Sequence, residues 1–188
     1  MMMKIAEALT NNEAEILSLW TERALDTYVS SEFFKKSLDH FANPVGSNIR
    51  EALSQIFHLL VAGARPEELS KPLDQFIRIR AVQEFTPAQA LAPILDLKWV
   101  VRQVLSEDKE SQGLIPELLP FDRDVDRLVL QAFDLYMNCR EQLYKARIRE
   151  LKSGSYILTD SACAAAIVRE NQQEVDRITS KTCAADKA

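Results

Sequence analysis

The run Phe76–Arg102, FIRIRAVQEFTPAQALAPILDLKWVVR, constrains the fold most, because it holds two helices and the corner that joins them. Thr86 offers a side-chain oxygen to the free N–H groups of a helix start. Pro87 suits the first turn, where a missing N–H costs nothing, and Gln89 closes a capping box from three residues on. Upstream, Phe76, Ile77, Ile79 and Ala81 alternate with Gln75, Arg78 and Arg80 as a strand would. The alternation continues from Pro72, Leu73 and Phe76 at helical spacing, so the segment reads as the end of a helix.

Residues two apart cannot share one helix face, so one of Arg78 and Arg80 is expected to point inward. Its partner would be a buried acid, with Glu84 and Asp96 nearest in sequence, or the carbonyls of a helix end. Together with Gln83, these arginines are the candidate ligand-binding residues, and an anionic signal is the ligand they would suit. The run holds no nucleophile–base pair, metal-ligand cluster or phosphate loop, so no catalytic residue, metal site or cofactor is assigned and no enzyme is expected.

The same periodicity recurs along the chain, and the class it implies is all-α. Asn11 or Asn12 caps a helix with Ile16, Leu17, Trp20, Ala24, Leu25 and Tyr28 on one stripe. A short turn of helix follows from Ser31. Asn43-Pro44 forms a cap and first-turn pair, Gly46 permits a close approach, and Ile49, Leu53, Ile56, Phe57 and Leu60 face inward as far as a C-cap at Gly63. Pro66 opens the next helix. The helix 87–105 carries apolar residues over more than half its circumference, including Leu95, so it is expected to be central, with Pro93 kinking rather than ending it. With 47% apolar and 27% charged residues, the chain has an ordinary globular balance, and 188 residues suffice for one domain with a sizeable core.

Residues 121–151 form the longest periodic stretch. Val125, Leu128, Ala132, Leu135 and Cys139 recur at threes and fours, while Val129, Phe133 and Tyr136 widen the stripe. A helix of this length carries more apolar surface than one small core covers, so this seam is the candidate interface of a homodimer. After Ser153-Gly154-Ser155 the composition shifts to small residues. Residues 1–152 therefore read as the domain and 153–188 as a partly flexible tail with one marginal helix.

The runs FANPVGSNIREAL, LDQFIRIRAVQEFTPAQAL and ILDLKWVVR, behind a tryptophan-bearing helix, resemble the RsbR-D type, the RsbT co-antagonist N-terminal domain. The likeness covers about residues 12 to 150, and Asn43-Pro44-Val45-Gly46 and Arg78-Ile79-Arg80-Ala81-Val82-Gln83 are its most distinctive motifs. The resemblance implies a single globin-like helical bundle of about six or seven helices with a C-terminal tail. It also implies a non-enzymatic sensory or regulatory module that works through protein contacts, with a kinase or a stressosome-like component as partner. The residues after 150 leave no room for the output module usual behind such domains, so the partner stays open.

A net charge of −5 argues against nucleic acid as partner. No apolar run reaches signal-peptide or membrane-span length, so a cytoplasmic location is expected. Cys139, Cys163 and Cys183 show no metal or haem spacing and read as free thiols, with Cys163 the more reactive for its place in the tail. The alternative function is a haem- or small-ligand-binding globin-like sensor. His58 would have to be its axial ligand, but it lies on an early helix, so a structural histidine is the reading adopted; His40 lies in a loop.

Overall fold

The computed structural model describes residues 4–28, 31–36, 43–83 and 85–153. The chain divides into two compact units, Met1–Gln142 and Leu143–Ala188. Among the described residues there are seven α-helices: α1 (Ile5–Asn11), α2 (Glu13–Asp26), α3 (Ser31–Lys36), α4 (Pro44–Val61), α5 (Pro66–Val82), α6 (Pro87–Glu107) and α7 (Leu119–Ser153), with a 3-10 helix at Gln112–Leu118. The protein is thus an all-α bundle, as its periodicity requires. The expected tail helix, Cys163 and Cys183, and His40 all lie outside the described residues.

Helix α6 is central to the first unit. It packs against α1, α2, α5 and the 3-10 helix. Its face from Ala90 through Ile94, Leu97 and Val101 to Leu105 is buried, and Lys98 reaches Asp126 of α7 at 2.7 Å. Arg102 binds the Asp122 carboxylate from both of its terminal nitrogens. Leu95, expected inside, is 45% exposed. Leu91 and Ile94 already fill the core side of that turn, and Leu95 stands about 100° further round the helix from Ile94.

The expected caps mostly form as drawn, with one change. Thr86 Oγ1 accepts from Gln89 N–H at 3.3 Å and Gln89 Oε1 accepts from Thr86 N–H at 3.0 Å, which closes the capping box. Asn43 Oδ1 accepts from Gly46 N–H at 2.8 Å. Asn12 makes no side-chain cap. Its amide instead donates back to Ala8 O at 3.0 Å and across to Asp108 Oδ2 at 3.3 Å, tying the α1–α2 junction to the end of α6.

Two glycines are required here for opposite reasons. Gly63 has φ +67° and open space around it, and it completes the end of α4 with Gly63 N–H on Leu60 O and Ala64 N–H on Leu59 O. Gly46 is helical, but a Cβ there would stand 2.3 Å from Asn43 Nδ2. Gly63→Ala is expected to cost about 1–2 kcal/mol from the left-handed backbone alone. Gly46→Ala is expected to cost about 1–2 kcal/mol by displacing the Asn43 cap. In an Asn43→Ala background the Gly46→Ala cost should vanish while the Gly63→Ala cost persists. Urea midpoints of the three single and two double variants check this, and an unchanged Gly46→Ala cost would refute the steric account.

The seam expected to meet a partner instead turns into the chain's own core. Val125, Leu128, Ala132 and Cys139 are buried, and Leu135 is half-buried against the same cluster. Gln131 Nε2 donates to Ser70 Oγ at 2.7 Å and Tyr136 Oη to Phe85 O at 2.5 Å, which locks this face of α7 toward α5 and the α5–α6 corner. The opposite face is the open one: Leu130, Phe133 and Met137 are 69%, 46% and 47% exposed. In the second unit, the described end of α7 carries Tyr144, Ile148 and Leu151 on its exposed surface, and Arg147 pairs with Glu150 at 3.3 Å.

Candidate functional site

Of the two arginines at the end of α5, Arg80 turns inward and Arg78 outward, about 200° apart around the helix. Arg78 pairs with Asp74 one turn back, at 2.6 Å on the surface, and does not join Arg80. Arg80 is fully buried. No described acid meets it: Asp96, one of the two expected partners, bonds Arg23 at 3.4 Å, and Glu84 lies outside the described residues.

The partners of Arg80 are carbonyls, and the sequence explains why they are available. An α-helix satisfies the carbonyl of residue 89 with the N–H of residue 93, but residue 93 is proline. Arg80 Nη2 donates to that orphaned Gln89 O at 2.8 Å, and Nε donates to Ala90 O at 3.1 Å. Nη2 also donates to Thr27 Oγ1 at 3.0 Å, just beyond α2. One guanidinium therefore fastens α5, the first turn of α6 and the end of α2 together.

Rings surround the charge. The guanidinium carbon lies 4.3 Å from the Phe85 ring centre, 5.3 Å from that of Tyr28 and 5.6 Å from that of Phe76. Tyr28 meets Phe34 and Phe85 edge to face at 5.2 and 5.1 Å. These contacts offset part of the cost of burying a cation. Arg80 Nη1 and Tyr28 Oη are both shut off from solvent in this nest and have no partner beyond each other's side chain. Burial pushes the Arg80 pKa down. It pushes the Tyr28 hydroxyl up, against the opposing pull of the Arg80 charge and of the hydrogen bond between the two side chains.

Gln83 ends α5, and its Oε1 is buried without a partner. Tyr28 and Thr27 were legible in the sequence only as the apolar stripe and the end of α2, because nothing local links them to a residue more than fifty positions on. His58 turns outward and bonds Glu13 at 2.7 Å beside an open cleft of about 520 Å³, rather than facing an interior pocket. Cys139, on the buried seam, has its thiol pKa raised by burial, which keeps it protonated and a poor nucleophile. Among the described residues no cluster of His, Cys, Asp and Glu is disposed to hold a metal, and no helix is long and apolar enough to cross a membrane.

Comparison with known proteins points one way. Residues 14–151 match the family model described as the RsbT co-antagonist protein rsbRD N-terminal domain. An uncharacterised protein of Archaeoglobus fulgidus is 24% identical over 139 residues, which cover 72% of this chain and 82% of that protein. No solved structure matches the chain.

Proposed function

Because the chain belongs to the family of the RsbT co-antagonist protein rsbRD N-terminal domain, we propose that it is a non-enzymatic regulatory module that works as a homodimer through protein–protein contacts. Family membership supports a stressosome-associated regulatory role, with a kinase or a stressosome-like component as the further partner. The globin-like arrangement and the cytoplasmic location belong to the same proposal.

The observation that carries the dimer is the exposed row Leu130, Phe133 and Met137 on the outer face of α7. Apolar side chains at this spacing, turned away from the core, fit a facing helix. A second copy crossing antiparallel near Phe133 about a two-fold axis would lay this row against its own counterpart.

Light scattering at tens of micromolar tests it. A mass near twice 21.3 kDa is expected, and a mass near 21.3 kDa would end the dimer reading. Phe133→Glu places a charge on a surface position rather than in the core. It is expected to weaken the dimer about 100-fold while leaving the far-ultraviolet circular dichroism intact.

A further inference from the structure

We propose that the cleft between the α4–α5 link and α7 binds a small organic ammonium ion, a protonated amine on an aliphatic body, with Asp134 as its counter-charge. This goes beyond the regulatory reading and does not depend on the dimer.

The cleft holds about 620 Å³, within the ordinary range of small-molecule sites and more than the cleft beside His58. Three helices share its apolar floor: Leu60 comes from α4, Leu69 from α5 and Leu128 from α7, and each is buried. The link 63–66 forms one wall, and Gly63 brings no side chain to fill it. An aliphatic chain of a few carbons finds apolar contact here and leaves water.

Charge decides the ligand class. Four ionised side chains line the cleft, two of each sign. Arg127 is taken up by Asp124 at 2.9 Å, and Arg65 by Glu68 of its own capping box at 3.6 Å. Asp134, of these four, has neither a hydrogen bond nor an ion pair among the described residues. The helix ends do not tip the balance, because the end of α4 and the start of α5 meet at the same link with opposite partial charges. What the cleft leaves unmatched is one carboxylate beside an apolar floor, and a single positive head on an aliphatic body matches both. An anion would find both guanidiniums engaged. A divalent metal needs several oxygen ligands together, and among the described residues no such cluster stands here.

The test titrates the full chain with hexylammonium chloride at constant ionic strength and follows backbone amide shifts by NMR. Saturable shifts are expected at Gly63, Leu128 and Asp134, with a Kd of about 1 mM or below. Asp134→Asn alters an exposed position, so it should fold. It should bind about fivefold more weakly, the upper end for an ion pair open to solvent. Sodium hexanoate carries the same chain with the opposite charge and should bind at least about tenfold more weakly than hexylammonium. Shifts that never saturate or that centre elsewhere would overturn the site. Equal affinity in Asp134→Asn, or hexanoate binding as tightly as hexylammonium, would overturn it too. Light scattering on the same samples keeps this result apart from the dimer, since saturable binding is expected at either mass.

Discussion

Trp20→Ala is expected to be the most destabilising single truncation on α2, costing about 3–5 kcal/mol. Trp20 is the largest fully buried side chain, at the middle of the helix that packs along central α6. Its Nε1–H donates to Pro93 O at 2.6 Å, inside the turn that Pro93 disturbs. Alanine would leave a cavity the size of an indole between α2 and α6 and remove that donor. Trp20→Phe separates the two contributions. It keeps most of the apolar volume and loses the hydrogen bond, at an expected cost of about 1–2 kcal/mol. Urea unfolding followed by circular dichroism is the right measurement, because Trp99, 49% exposed and stacked 4.4 Å beneath the Arg23 guanidinium, would complicate a fluorescence signal. A cost for Trp20→Ala below about 1.5 kcal/mol would mean that α2 and α6 do not share a tightly packed core.

The helices were legible because their signals are local. Thr86-Pro87-x-Gln89 and Asn43-Pro44 name their own starts, Gly63 names an end, and the stripes of α2, α4 and α5 identify their buried faces. That one of Arg78 and Arg80 faces inward was also legible, from spacing alone, while its partner stayed open between an acid and the carbonyls of a helix end. Which one, and which carbonyls, depended on how α5 rotates against α6, and no single helix encodes that. The α7 seam misled for a related reason. Val125 to Cys139 and the row from Leu130 to Met137 are both apolar and both periodic, and only the packing of α7 on the rest of its unit decides which is core. Asn12 was read as a cap from its type and place, but its amide finds stronger company in Ala8 O and Asp108.

The coupling between Arg80 and Pro93 gives the second large expected effect. Arg80→Ala should cost about 3–5 kcal/mol, combining the volume of a buried long side chain with acceptors left unpaired. The Gln89 carbonyl is the decisive one. With proline at 93 the backbone donor four residues on is missing, so losing Arg80 leaves this part-buried carbonyl without either donor. Pro93→Ala restores an N–H four residues on and returns Gln89 O to the helix ladder. Alone, that substitution competes with Arg80 and removes a buried ring, so a modest loss is expected. Combined with Arg80→Ala, it should recover at least about 1 kcal/mol relative to the sum of the two single losses, the coupling expected of groups that share a partner. A double-mutant cycle by urea unfolding measures that term directly. Additive losses would mean that Arg80 is held by its rings and by Thr27, and that the proline in α6 needs no outside donor.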